Sequence, residues 1–525
     1  MRIAMAAILA LIFPWFAFRV QCEPIQIEHG AVEGIKTDGL IEFRGIPYAA
    51  PPVGNLRWKP PQEPTDRPVV LQANSFPPQC PQTWPPLPTM PAEKSSEDCL
   101  YLNIWSPQPM QGSGRPVMVF FYGGGFQAGS ASTPLYASGG LPRATGVVLV
   151  TVNYRIGALG FMAYPLLSAE SEHHVSGNYA LLDAIAALGW VKRNIVKFGG
   201  DPDRVTIFGQ SAGSFLINKL MISPFANGLF HAAIAESSAD MGDMQMGNLA
   251  HAEQVGVALA SRWQVTSLDA LRSLPVDKLL ATEFDARPVV DGYIIPQDTY
   301  TAYALGKQSK VPLLLGYNAS EGDWLRMPTT LIQYRKFVRA TYGSFAPRFL
   351  KMYPAVNDTQ AAAAARRIGA EDAFGWQMYA WAEVNARTSS APTYFYHFSS
   401  RYGNGHGAEL PFVFQYPFGG EWDATRHHMG QEIAGYWTRF AATGDPNGAG
   451  AVQWETYNPA VKRVMSLGIK TGEISMPDLE AHRLMDEFHN SKRSPRVTNA
   501  NPVKEVPESL EAAAGLEPAT SQPIP

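Results

Sequence analysis

The sequence predicts an α/β protein with a mostly parallel central sheet, helices on both faces and long insertions. Three observations carry that reading. Short apolar runs at 117–122, 147–153, 205–208, 311–315 and 393–398 are rich in β-branched and aromatic residues, as strands buried on both faces are. Between the second and third runs, Leu181, Leu182, Ile185, Leu188, Val191 and Ile195 recur at helical spacing. Strand and helix alternating in this way argue for parallel strands with crossover helices, and ligand chemistry then belongs at the strands' carboxyl ends. Third, 46% of the 525 residues are hydrophobic and only 17% charged, so the chain fills a large core and is neither disordered nor a coiled coil.

At the amino terminus, residues 3–18 carry no charge and follow Arg2. As a helix this run spans roughly 24 Å, short of a bilayer core of ~30 Å, and Pro14 interrupts it. The pattern predicts a signal peptide over residues 1–22, cut before Glu23, and an exported, extracellular or periplasmic protein. Cys22 also admits a lipid anchor, against which Gln21 is large for the position before a lipidated cysteine. No later stretch is long and apolar enough to form a stable membrane span. Of three cysteines, Cys80 and Cys99 then remain, and an even pair in an exported chain reads as one disulfide or as two separate buried thiols. Residues 23–486 show no linker-like break and form one domain. The Pro-rich stretch 77–91 is too short to divide it, and residues 487–525, dominated by Pro, Ala, Ser and charge, read as a disordered tail. Net charge is −4, which leaves no basic footprint for nucleic acid.

The run 205–208 leads directly into Gly209-Gln210-Ser211-Ala212-Gly213, the only Gly-x-Ser-x-Gly in the chain. Such a turn needs a serine in a strained conformation, flanked by glycines that let strand and helix pack closely. With 46 glycines a chance match is the competing reading, which the preceding strand weakens. Gly123, Gly124 and Gly125 follow another strand and can present unshielded N–H groups to an oxyanion, or form a plain flexible turn. A dinucleotide fingerprint over Gly123, Gly125 and Ala128 fails, because no Asp or Glu follows before Glu170. A serine nucleophile needs a base and an orienting acid. Glu321 follows the run 311–315 and His406 the run 393–398, so strand ends deliver both towards Ser211. His397 lies within a strand and reads as packed, and His427 and His428, adjacent at a helix start, read either as solvated or as supporting the site from behind.

The segments 43–49, 51–54, 96–103, 122–126, 153–155, 208–213, 288–292 and 444–447 occur in the order seen in type-B carboxylesterases and cholinesterases. From residue 27 to about 470 the chain resembles that family of α/β-hydrolases. The resemblance implies an α/β-hydrolase fold with Ser211 as nucleophile, Glu321 as triad acid and His406 as base. It implies Gly124, Gly125 and Ala212 as oxyanion donors, a Cys80–Cys99 disulfide and a salt bridge between Glu97 and Arg44. Ser237 matches a position that supports the triad acid. Gln210 stands where cholinesterases carry Glu. Asn318-Ala319-Ser320 and Asn357-Asp358-Thr359 are glycosylation sequons, and the first adjoins Glu321 and is expected to be buried.

The implied activity is an exported serine carboxylesterase that works through an acyl-enzyme, takes a small-molecule ester and needs no metal or other cofactor. Gln210 removes a carboxylate that would hold a cation, and Trp84 lies 15 residues before Cys99, so neutral alcohol leaving groups are expected. A binding or adhesion domain of the same fold is the rival, against which Ser211 and His406 both stand. A lipase would further need an exposed apolar lid.

Overall fold

The computed structural model describes residues 20–83, 94–242, 247–323, 325–418 and 420–493. Most of the expected signal segment, Trp84 and residues 494–525 of the expected tail lie outside them. The described residues form an α/β-hydrolase fold around a 12-stranded sheet. Its order is Val20–Gln21, Ile35–Thr37, Leu40–Pro47, Tyr101–Pro107, Val148–Val152, Arg115–Phe121, Gly200–Gln210, Ala232–Glu236, Leu313–Asn318, Thr393–Ser399, Arg463–Gly468 and Gly472–Ser475. From Val148–Val152 through Arg463–Gly468 every neighbouring pair is parallel, and the flanking strands are antiparallel.

The parallel strands are apolar on both faces because helices cover both, and every residue of Val148–Val152 and Leu313–Asn318 is buried. The helix expected from the 181–195 periodicity spans Tyr179–Asn194. The strand before Ser211 starts at Gly200, well before residue 205: an irregular stretch of exposed polar residues still carries the pairing to Arg115. Ala232–Glu236 gave no sequence signal, since alanine favours helix. Its small side chains nevertheless lie wholly buried between two parallel neighbours.

One boundary differs from the sequence expectation. The helix Leu479–Lys492 runs through the expected tail boundary at residue 487. Leu484, Met485 and Phe488 form an apolar stripe, Phe488 packs edge-on against Tyr342, and His489 stacks on Trp376 at 3.8 Å. Composition alone misses a stripe that short. At the other end Cys22 is buried, exchanges backbone contact with Gly34 and accepts the Gly34 N–H on Sγ. A cut before Glu23 would strip this residue and the strand Val20–Gln21 from the sheet edge.

Cys80 and Cys99 are joined as a disulfide, Cα atoms 5.1 Å apart. The ion pair beside it is not the expected one. Arg57, not Arg44, grips Glu97 in bidentate fashion at 2.7 and 2.5 Å, while its remaining nitrogen donates to the carbonyls of Arg272 and Leu274. Arg44 is taken by Glu42, two residues before it on the same strand. Among the described residues no helix is long and apolar enough to cross a membrane.

Candidate active site

Ser211 sits at the turn between the strand Gly200–Gln210 and the helix Ala212–Leu220, with φ 58° and ψ −123°. Non-glycine residues hold such angles only where the surroundings enforce them. The enforcement is visible in the two flanking glycines. A Cβ on Gly213 would lie 1.9 Å from the Phe121 carbonyl oxygen, and one on Gly209 would lie 2.6 Å from the same atom. Ser211 N–H donates to Glu236 O at 2.8 Å, which ties the turn to the neighbouring strand.

The glycine loop closes on this turn. Gly124 and Gly125 adopt φ 116° and 62°. A Cβ on Gly123 would meet Gln210 O at 2.7 Å and Ser211 Cβ at 2.9 Å, so loop and elbow touch backbone to backbone. Tyr122 and Tyr154 stack at 4.5 Å and exchange hydrogen bonds, each hydroxyl donating to the other's carbonyl, which fixes the strand end that launches the loop. No hydrogen bond among the described residues uses the N–H groups of Gly124, Gly125 or Ala212. The last is an orphan donor of the helix's first turn, where the helix dipole favours negative charge.

Glu321 and His406 come together as the sequence expected. His406 Nδ1 lies 2.6 Å from Glu321 Oε2, and Glu321 Oε1 accepts Asn318 N–H at 2.9 Å. Asn318, 1% exposed, also binds across to the other loop: its Nδ2 donates to Gly405 O at 2.8 Å and to Glu409. Ser320 and Gly405 form a bridge beside it. Two loops separated by about 85 residues are thus fastened together by one asparagine, the burial expected of that sequon. Phe374, from a π-helical turn at Glu371–Gly375, packs against the His406 ring at 4.6 Å. That turn is an insertion typical of functional helices.

Gln210 makes a contact the sequence did not disclose, and Ser237 departs from the role expected of it. Gln210 Nε2 lies 3.1 Å from His406 Nε2. With Nδ1 donating to the carboxylate, Nε2 is the lone-pair side of a neutral ring, and the Gln210 amide donates to it. Gln210 therefore touches the histidine itself. Ser237, buried with φ 57°, has a hydroxyl with no hydrogen-bond partner, and Glu321 is held by the Asn318 N–H in its place. The reason is positional: Ser237 is used through its backbone, donating N–H to Gly316 O at 2.9 Å.

Behind the histidine lies a buried acidic pair missed in the sequence. Glu236 accepts from Trp437 Nε1 at 2.7 Å, and burial, then the nearby Glu409, pushes its carboxyl well above the usual range. Burial pushes Glu409 up to about 7, opposed by the Asn318 hydrogen bond and aided by the charge on Glu321. Glu409 follows His406 by three residues, and a lone Glu after a loop gives no signal that it is buried. His397 lies in its strand, its pKa lowered by burial, and His427 and His428 are exposed. No group of three metal-ligating side chains occurs among the described residues.

Comparison with known proteins agrees with this geometry. The profile of the "Carboxylesterase family" matches residues 21–484. The chain is 36% identical over 482 residues to the fumonisin B1 esterase of Sphingopyxis macrogoltabida, spanning 86% of this chain and 88% of that protein. It is 33% identical to the para-nitrobenzyl esterase of Bacillus subtilis (strain 168), over 84% and 94% of the two chains. To a human cocaine esterase it is 32% identical, over 87% of each. A solved PNB esterase superposes with a TM-score of 0.77 at 30% identity, over 88% of this chain and 99% of the other.

Proposed function

The chain belongs to the carboxylesterase family and is a carboxylic ester hydrolase of the serine type; on that premise we propose that Ser211, His406 and Glu321 are its nucleophile, base and acid. Ser211 Oγ attacks the ester carbonyl carbon as His406 Nε2 takes its proton. Glu321, 2.6 Å from Nδ1, keeps the ring in the tautomer whose lone pair is at Nε2 and stabilises the imidazolium once formed. The N–H groups of Gly124, Gly125 and Ala212 receive the oxyanion of the tetrahedral intermediate. His406 then returns the proton to the departing alcohol, leaving an acyl-Ser211 that water, activated by the same histidine, hydrolyses. The observation that carries this reading is the Glu321–His406 hydrogen bond beside a strained Ser211. Replacing Ser211 by Ala removes the nucleophile from a turn that tolerates a smaller side chain. Loss of about 10⁴ to 10⁶ in kcat is expected on a p-nitrophenyl ester. More than a tenth of the parent activity in a clean preparation would sink the assignment.

The leaving group is proposed to be a neutral alcohol. Gln210 puts an uncharged amide where a carboxylate would attract a quaternary ammonium, and at an effective dielectric near 20 a charge pair a few ångströms apart is worth a few kcal/mol. A choline ester and its isosteric 3,3-dimethylbutyl ester, compared at matched acyl chain and low salt, should be cleaved with similar kcat/KM. A preference for the cation above about tenfold overturns this. Export is proposed as well, supported by the uncharged run at residues 3–18 and the Cys80–Cys99 bridge, which suits an oxidising compartment.

A further inference from the structure

A cavity of about 540 Å³ opens between the loop that follows Trp58 and the segment joining two helices, Pro165–Glu170 and Tyr179–Asn194. None of Ser211, Glu321, His406, Gly124, Gly125 or Ala212 lines it. Its volume falls within the ~300–1,000 Å³ typical of small-molecule sites. The walls are aromatic. Trp58 and Tyr179 are buried into the protein, Trp58 donating Nε1–H to Ala158 O. Tyr293 is flanked by His173, stacked at 4.1 Å and 25°, and by Phe225 at 4.8 Å.

The charge on these walls is mostly negative. Glu63, Glu170, Glu172 and Asp291 face a single ammonium, Lys59. Three of the four carboxyl groups are already engaged. Glu63 meets His29 and Arg193, and Glu170 meets Arg272 and Lys59. Asp291 accepts from Asn178 and from the N–H groups of Tyr293 and Ile295. Glu172 remains: it is exposed and makes no ion pair or hydrogen bond among the described residues. It lies close enough to Tyr293 to help burial raise that phenol's pKa to about 12. An unspent carboxylate near the Tyr293 ring, in a cavity walled by further aromatic side chains, can hold an organic cation by charge and by the ring quadrupoles together.

We propose that this cavity is a second ligand site, separate from the ester-cleaving centre, for an organic monocation with an aromatic or branched apolar body. The test uses the full-length mature enzyme, benzyltrimethylammonium as probe and calorimetric titration at low salt, with the ester site saturated by a trifluoromethyl ketone inhibitor. One binding event is expected to persist in the presence of the inhibitor. Glu172→Gln, a change on an exposed residue, should weaken it at least threefold, and Tyr293→Ala about tenfold. Both variants should hydrolyse a neutral ester with kcat/KM within twofold of the parent, which reports an intact fold. Three outcomes overturn the proposal: no binding up to about 10 mM probe, binding abolished by the inhibitor, and binding unchanged by Glu172→Gln. The middle outcome puts the cation in the ester site. None of the three alters the case for Ser211, which rests on its own substitution.

Discussion

Gln210 and Ser211 are neighbours in sequence and rivals in space. The Gln210 amide occupies the His406 Nε2 lone pair that must accept the serine proton, so turnover requires that contact to give way. An uncharged partner lets go of either protonation state at little cost, since the amide offers N–H to the neutral ring and C=O to the imidazolium. A carboxylate at the same place would favour the imidazolium. Gln210→Glu should therefore move the acid limb of the kcat/KM profile to higher pH by about one unit, measured with a neutral ester. An unmoved profile would show that residue 210 does not contact the working histidine. This contact was not legible in the sequence. Gly-x-Ser-x-Gly located Ser211 because its glycines are forced, whereas nothing in the linear chain says that residue 210 reaches a loop about 196 positions away.

At the level of elements, the strand ends announce themselves and their fastenings do not. Glu321 and His406 were readable because each follows an apolar run that had to be a strand. The Asn318 clasp and the Arg57–Glu97 pair were not, since choosing between Arg44 and Arg57 needs the turn between them in three dimensions. The strand Arg115–Phe121 and the helix Ala212–Leu220 meet backbone to backbone, where Gly213 leaves no room beside the Phe121 carbonyl. That oxygen is backbone and cannot swing aside. Gly213→Ala must push the elbow off the glycine loop, and displacements near 1 Å cost on the order of 10²-fold in rate. A loss of that size, with a lowered melting temperature, is expected. Activity within twofold of the parent would mean the contact can relax.

For the whole molecule, the buried acidic pair sets a pH dependence of stability. Glu409, near 7 when folded and about 4.5 when unfolded, binds more protons in the native state between those values. Its contribution is therefore full below about 4.5 and is lost as pH rises to about 7. Glu236 and Glu371, the latter raised to about 8 by burial, act with the same sign. His482, lowered to about 3 by burial, opposes them as the pH falls below its usual range. Glu409→Gln isolates one term: the fall in melting temperature between pH 5 and pH 7.5 should shrink by about 2–4 °C. An unchanged fall would show that Glu409 is ionised in the native state. Fold class and the mostly parallel character of the sheet followed from the alternation of apolar runs with one helical stripe. The alanine-rich strand Ala232–Glu236 and the terminal helix did not, because burial there comes from neighbours supplied by distant parts of the chain.

The asparagine that clasps the acid and histidine loops is also an acceptor sequence for N-linked sugar, and this makes the choice of production host a matter of timing. A glycan transferred to Asn318 while the chain is still emerging consumes a side-chain nitrogen needed by Gly405 and Glu409, and brings bulk to a spot 1% exposed. Once the two loops have closed, no transferase can reach that nitrogen. A host that decorates nascent chains pits the sugar against closure, and yield becomes a question of which arrives first. Asn357, exposed at its helix cap, carries no such conflict.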